Sequence, residues 1–280
     1  MLKRLNLGRG ETIEFKIGGL GVPMLLRRSA RARRFSLQVS EARRGAVLTM
    51  PAYSSFAEAE EFLSRHLDWL KERLAGLPDP VPFSDGAVVP LRGLAHVLRF
   101  AGPVRRRGVV WIEEPEDAKI APAWPTSAGE DDGCLPRLHV SGEAEHAPRR
   151  LSDWFKRQAH ADLRLQADLH AERLNLKPKR ITVRDQTTRW GSCSTTGALS
   201  FSWRLVLAPP FVLDYLAAHE VAHLAHMNHG PRFWALVARA MPRYEEARNW
   251  LHRHGASLHA YGATRLSQTS QGMSPTASIE

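Results

Sequence analysis

The chain has 280 residues, of which 43% are hydrophobic, and its formal net charge at pH 7 is +10. This length and composition suffice for one sizeable domain, or for a catalytic domain with a smaller module, and they exclude an intrinsically disordered protein. No stretch approaches the ~20 consecutive apolar residues that cross a bilayer, and the N-terminal residues contain no apolar run of signal-peptide length, so we expect a cytoplasmic protein with no membrane partner.

Arginine carries most of the positive charge and is clustered at residues 27–34 and 105–107. Such a field attracts nucleic acids, nucleotides or acidic protein surfaces. The clusters lack the interleaved aromatic residues that are typical of nucleic-acid-binding motifs, so a generally basic surface is the alternative interpretation. Nucleic acid is therefore a partner that the charge would attract but that no motif supports.

The two cysteines, Cys134 and Cys193, are too few for a disulfide framework, and neither belongs to a CxxC pair. We expect two free thiols in a reducing compartment, because disulfides form in oxidising ones. This expectation agrees with a cytoplasmic location.

The N-terminal part is predicted to be rich in strands. Residues 11–17 and 35–39 alternate between apolar and polar side chains, and the apolar run 46–51 ends at a proline. A further strand pair is predicted around residues 88–93 and 96–100, where proline and glycine punctuate the chain.

One helix is predicted within this part. Ser55, with Glu58 three residues later, forms a capping box that begins it. Apolar residues then recur at helical spacing from Ala59 to Leu74, and Gly76 follows as a stop signal.

The C-terminal part alternates helices with a small sheet. A long helix is predicted at 152–174, followed by a strand at 181–186 and a hairpin formed by 189–193 and 199–205. Another helix begins near Phe211, after two prolines.

This order of elements predicts four segments. They are an N-terminal strand-rich module with one helix (1–104), a flexible insertion or linker rich in Pro, Gly, Asp and Glu (105–141), a catalytic domain (142–256) and a disordered polar tail (257–280).

The helix that begins near Phe211 contains an HExxH motif at residues 219–223. Histidines four residues apart lie on one helix face, so His219 and His223 can bind one ion through ring nitrogens ~2.0–2.1 Å from zinc. Glu220 is too short to be a comfortable third ligand and can instead accept a proton from a water molecule whose pKa zinc lowers. The motif thus predicts Zn²⁺ as cofactor and Glu220 as general base of a peptidase-type site.

Two later histidines compete to be the third ligand. On an unbroken helix His226 would lie two turns, ~10.5 Å, from His219, so one ion can hardly bind all three. His229 follows Asn228, which tolerates left-handed backbone, and precedes the Gly-Pro pair that opens the next helix at Pro231. The chain can therefore turn and bring His229 back to the ion, and we favour His229 over His226.

Carboxylates are weaker candidates for the same position. A thermolysin-like site would use a downstream glutamate, for which Glu245 and Glu246 are available. One of these, or Asp214, is alternatively a carboxylate that holds an imidazole N–H, or a plain surface residue. A metzincin would carry glycine where His226 stands, which argues against that class.

Four segments, in order, resemble landmarks of the YgjP-like family of metal-dependent hydrolases, which is related to the SprT-like and WLM groups. They are residues 27–39, 66–74, 188–209 and 219–234. The resemblance implies a metal site at His219, His223 and His229 with Glu220 as catalytic glutamate. The chain departs from the family pattern at Ser202, where asparagine is usual, and in the longer 105–141 segment.

The segment 189–193, RWGSC, has two interpretations. In the functional one, its strand borders the zinc cleft and binds an extended substrate, while Arg189 stabilises an anion or a carbonyl. In the structural one, Trp190 is a core aromatic residue, Gly191 a bulge and Cys193 a small buried residue.

These observations predict an α+β fold, in which an N-terminal strand-rich module precedes a minimal zincin-like metallopeptidase domain with the HExxH helix packed on a small sheet. The predicted function is that of a zinc metallohydrolase, most simply a metallopeptidase that acts on a peptide or protein substrate. Two alternatives stay open: a metal-dependent nucleotide (phosphoanhydride) hydrolase, and a DNA-associated SprT-like protease or nucleic-acid-binding module. The oligomeric state is not predicted.

Overall fold

The computed structural model describes residues 12–16, 23–40, 45–103, 109–114, 135–186 and 188–263. The described residues form an α+β fold with six α-helices and three small mixed sheets, which confirms the predicted fold class. The chain divides into two compact units, one of residues 1–79 with 263–280 and one of residues 80–262. No helix among the described residues is both long enough and apolar enough to cross a membrane.

The first unit contains a four-stranded sheet followed by two helices. Its elements are β1 (Thr12–Lys16), β2 (Pro23–Ser29), β3 (Ser36–Ser40), β4 (Gly45–Pro51), α1 (Phe56–Arg65) and α2 (Leu67–Ala75). The strand order is β1-β2-β4-β3, with a parallel pair in the centre and antiparallel pairs outside. Strand β2 was not predicted, because its residues run PMLLRRS and do not alternate.

The predicted helix of this unit is present but is interrupted. Ser55 and Glu58 form the expected capping box. At His66 the backbone leaves helical geometry, with φ −111° and ψ 10°. The ring Nδ1 of His66 lies 2.8 Å from the Phe62 carbonyl oxygen. The backbone N–H of His66 donates to the carbonyl of Leu63, three residues earlier. This tight turn separates α1 from α2, which the apolar spacing alone did not reveal.

The second unit combines two sheets with four helices. Its strands are β5 (Val88–Leu91), β6 (Leu94–Gly102), β7 (Val110–Glu113), β8 (Arg137–Ser141), β9 (Arg180–Arg184), β10 (Gly191–Cys193) and β11 (Ala198–Ser202). Its helices are α3 (Ala147–Leu174), α4 (Pro210–Ala222), α5 (Pro231–Ala240) and α6 (Tyr244–Leu258), with 3-10 turns at Ala144–His146 and Trp203–Val206. The sheet orders are β5-β6-β8-β7 and β10-β11-β9.

The boundary between the units lies at residue 79, earlier than the one expected at residue 104. The reason is that β6 pairs in parallel with β8, which joins residues 94–102 to the part of the chain that follows the expected boundary. Strands β7 and β8 also lie inside the segment 105–141 that was expected to be an insertion. Residues 104–108 and 115–134 of that segment lie outside the described residues.

The C-terminal end of the second unit is tied to its core. Helix α6 continues past residue 257, where the polar tail was expected to begin, and the Val81 N–H donates to the Ala260 carbonyl. The buried Arg204 donates hydrogen bonds to the carbonyls of Leu258 and Tyr261, so residues 258–261 are held in place. Residues 264–280 lie outside the described part of the chain.

Helix α3 contributes a long apolar face to the hydrophobic core of the second unit. Its buried residues recur every four positions, which makes one continuous apolar stripe: Leu151, Phe155, Ala159, Leu163, Ala167 and Ala171. This stripe packs in one cluster with the buried residues of α4, so helix α4 is fixed along its length. Asn175, in left-handed geometry at φ 55°, ends α3.

Candidate metal centre and active site

Helix α4 and the turn after it bring three imidazoles together. His219 lies on the last turn of the helix and His223 directly follows its final residue. The N–H groups of Ala225 and His226 then both donate to the Ala222 carbonyl, so the chain coils tightly before α5 begins at Pro231. The ring nitrogens of His219, His223 and His229 lie within 4.8 Å of one another, and the Nε2 atoms of His219 and His229 are 3.1 Å apart.

The aromatic ring of Phe233 packs against all three imidazoles. Its centroid lies 4.9 Å from that of His219, 4.5 Å from that of His223 and 4.8 Å from that of His229. Phe233 is fully buried, and Pro231 starts its helix immediately after the turn. The ring centroid of the neighbouring Trp234 lies 5.9 Å from the ring centroids of both His219 and His229. Phe233 therefore forms an apolar floor for the three histidines.

Two of the imidazoles are also held through their Nδ1 atoms. Nδ1 of His223 lies 3.0 Å from the backbone carbonyl oxygen of His226, and Nδ1 of His219 lies 3.4 Å from the Tyr215 hydroxyl. A carbonyl oxygen only accepts hydrogen bonds, so Nδ1 of His223 carries the proton and Nε2 keeps its lone pair. The side chain of His226 is not part of the three-histidine group.

Burial favours the neutral rings of His219 and His223. Burial, together with the neighbouring His223 and His229, lowers the pKa of His219 to about 3. Burial also lowers the pKa of His223. Neutral imidazole is the form that binds a metal ion. These two rings are therefore better suited to bind a metal cation than to take up a proton.

Glu220 directly follows His219 in α4, and its carboxylate lies against Gly191 of β10. The residue is 4% exposed, and among the described residues its Oε2 atom has no hydrogen-bond partner. Burial raises the pKa of Glu220 to about 8, and the charge of the exposed Arg189 opposes that rise. A buried carboxyl oxygen without a partner is costly, which indicates that this position serves chemistry rather than stability.

The hairpin of β10 and β11 runs beside α4. Gly191 pairs with Phe201 and Cys193 with Leu199, and β10 is an edge strand of its sheet. Trp190 stacks on His259 with ring centroids 4.7 Å apart and packs against the core. The half-buried Cys193 has its thiol pKa raised by burial, which does not suit a nucleophile. Trp190 and Cys193 thus fit the structural interpretation, while Cys134 lies outside the described residues.

Ser202, at the departure from the family pattern, is fully buried. Its hydroxyl oxygen accepts the Arg204 N–H at 3.4 Å and caps the 3-10 turn after β11. The Ser202 side chain therefore serves the local backbone.

The carboxylates that competed as ligands lie elsewhere. Asp214 pairs with the buried His170 of α3, with Oδ1 2.6 Å from Nε2, and does not contact a histidine of the cluster. Glu246 pairs with Arg243 at 2.7 Å, and Glu245 is exposed at the start of α6. Glu245 and Glu246 therefore fit the alternative interpretation as surface residues, and Asp214 holds the imidazole of His170 rather than that of a proposed ligand.

A divalent cation fits this arrangement. Three imidazole nitrogens converge, and the residue that follows His219 in the same helix carries a buried carboxyl oxygen with no partner among the described residues. Three histidines are a ligand set found in catalytic zinc sites, which leave a fourth position open.

The comparison with protein families gives the same class of site. The model of the YgjP-like metallopeptidase domain matches residues 33–254. No curated protein gives a significant match. Among solved structures, the metallopeptidase zymogen of Pyrococcus abyssi abylysin is similar at 17% identity with a TM-score of 0.30, over 32% of this chain and 93% of that one.

Proposed function

Because the chain belongs to the YgjP-like family of metallopeptidase domains, we propose that it is a zinc-dependent peptidase with Glu220 as its general base. The observation that supports this most directly is the convergence of three imidazole nitrogens beside a buried, unpaired carboxyl oxygen. His219, His223 and His229 are the proposed ligands. A peptide or protein is the proposed substrate.

Zinc is the metal that this donor set suits. Three imidazoles with an open fourth position suit a tetrahedral ion of intermediate softness, whereas magnesium and calcium prefer oxygen ligands. When bound, the ion polarises the scissile carbonyl and lowers the pKa of a water molecule to ~7.

Glu220 then moves the proton. Its carboxylate would accept a proton from the attacking water as the new C–O bond forms, and would return that proton to the nitrogen as the C–N bond breaks. Burial raises the pKa of the Glu220 carboxyl group to about 8 in the metal-free protein, and the charge of a bound cation would lower that pKa and favour the carboxylate form that accepts a proton. No covalent intermediate with the protein is needed.

The edge strand is the proposed substrate-binding element, and Arg189 is the proposed group that stabilises negative charge in the reaction. Strand β10 runs beside α4 at the edge of its sheet, where an extended peptide would add by main-chain hydrogen bonds. Arg189 precedes β10, and its positive charge acts on Glu220, so it would stabilise negative charge that develops on the carbonyl oxygen nearby. No observation favours the nucleotide or nucleic-acid alternatives over a peptide substrate.

The test compares the wild-type protein with Glu220→Gln. We expect about one zinc per chain in both proteins, measured by atomic absorption after removal of free metal. Cleavage of an unfolded protein and of a peptide library should fall by ~100-fold or more in the variant. A chelator should abolish wild-type cleavage and added zinc should restore it. Equal turnover in Glu220→Gln and the wild type would contradict the assignment of Glu220 as general base. Failure of the wild-type protein to retain zinc would contradict the proposed metal site.

A further inference from the structure

The carboxylate of Glu220 lies against the backbone of Gly191. A β-carbon at position 191 would come within 2.4 Å of Glu220 Oε1, 2.7 Å of Cγ and 2.8 Å of Cδ. Non-bonded carbon contacts are favourable at ~3.5–4.0 Å, so all three approaches are severe overlaps. Rotation of the carboxylate alone does not relieve them, because Cγ also overlaps. Any side chain at position 191 must therefore displace Glu220.

The backbone of Gly191 does not itself require glycine. Gly191 is absent from the described residues with positive φ, so an alanine would adopt its conformation without strain. It pairs in register with Phe201 of β11 as an ordinary strand residue. The missing β-carbon is therefore needed for space, and the group that occupies this space is Glu220.

Both sides of this contact are fixed. The Ser202 N–H donates to the Trp190 carbonyl at 2.8 Å, and the Trp190 ring stacks on His259, which holds the strand at residue 190. On the other side, Ala217 and Val221 of α4 are fully buried in the core. Neither the strand nor the helix is free to retreat from a larger residue.

We propose that Gly191 is a positioning residue that sets the place of the Glu220 carboxylate by leaving room for it against β10. This rests on the proposed function, in which Glu220 carries the proton. The same strand that would bind the substrate thereby aligns the general base with the scissile bond. The glycine of the RWGSC segment acts on the proton transfer through Glu220.

A stability cycle on the metal-free protein tests the contact without reference to activity. Gly191→Ala should lower Tm by about 4 °C in the wild-type background, because overpacking strains a buried site. In the Glu220→Ala background the clash is absent, and the same substitution should leave Tm unchanged or raise it. Equal shifts in both backgrounds would overturn the inference. Ser192→Ala, the next residue of β10, serves as the matched control and should show no such coupling.

A kinetic cycle tests the positioning. Gly191→Ala should lower kcat by ~100-fold with KM and zinc content little changed, because a misplacement of about 1 Å costs that much. In the Glu220→Ala background the γ-carbon and the carboxylate are both gone, so Gly191→Ala should lower the residual kcat by less than about threefold. An unchanged kcat in Gly191→Ala, or equal losses in both backgrounds, would contradict the proposal. If the wild-type protein cleaves no peptide, the proposed function fails, while the stability cycle still decides whether Gly191 fixes Glu220.

Discussion

The Nδ1 atom of His223 lies 3.0 Å from the backbone carbonyl oxygen of His226. Residue 226 thus orients a proposed ligand through its main chain, and its imidazole is not needed for that contact. The turn that creates this hydrogen bond also returns the chain towards α4, so that His229 reaches His219. One local turn therefore both orients the second histidine and delivers the third.

The first prediction separates the two competing histidines. His229→Ala should weaken zinc affinity by more than about 100-fold, since it removes a ligand, and chelator competition measures this directly. His226→Ala keeps the carbonyl and should stay within about threefold of the wild type. The reverse order would reassign the third ligand to His226.

The second prediction concerns the floor of the site. Phe233→Leu should weaken zinc affinity by about tenfold, because all three imidazoles lose the ring against which they pack. Phe155→Leu is the matched control, since Phe155 is equally buried but lies in α3. It should lower the free energy of unfolding to a similar extent and leave zinc affinity unchanged. Equal zinc affinities in the two variants would show that Phe233 only fills space.

The third prediction concerns Arg189. Arg189→Gln should lower kcat for peptide hydrolysis by about 100-fold, because it removes a positive charge that would stabilise the carbonyl oxygen. Zinc content should not change. Arg184→Gln, at the exposed end of β9, is the control and should keep full activity. A loss confined to KM would instead assign Arg189 to substrate binding.

The fourth prediction is a pH dependence of stability. Burial lowers the pKa of His259 from 6.5 to about 4, with a smaller contribution from Arg204. The unfolded chain therefore binds a proton at this histidine below pH 6.5, whereas the folded chain binds it only near pH 4. Stability from this group is complete above pH 6.5 and falls as the pH drops to 4, by about 3 kcal/mol at most.

Denaturant unfolding of the metal-free protein between pH 4 and pH 8 measures this loss. His259→Phe keeps the ring stack on Trp190 without a titrating group, so its stability should fall less at acid pH. His160→Gln, an exposed position of α3, should keep the wild-type pH dependence. Parallel pH curves for His259→Phe and the wild type would contradict the assignment.

Elements whose signals are local were predictable. The capping box of Ser55 and Glu58 acts within one turn, and the spacing of His219 and His223 follows from helix geometry. The turn before Pro231 was predictable from residues that end one helix and begin the next. The hairpin of β10 and β11 was recognisable from its turn residues and flanking strands.

Contacts between distant segments were not predictable in this way. The parallel pairing of β6 with β8 joins strands that flank β7. Because of this pairing the boundary between the units lies at residue 79 rather than at residue 104. The partner of Asp214 is His170, which lies 44 residues away on another helix. No periodic pattern in the chain indicates either pairing, since both depend on how helices and strands pack against one another in the tertiary structure.

Gly191 and Glu220 show, within one site, the difference between signals that are local in the sequence and contacts that depend on tertiary packing. Each belongs to a motif that can be read from neighbouring residues, and a glutamate after the first histidine is enough to suggest a proton acceptor. That the two residues occupy one space depends on the position of β10 against α4, which the buried core sets. Helix and turn propensities act over a few residues, whereas the distance between a strand and a helix depends on the shape of everything packed between and behind them.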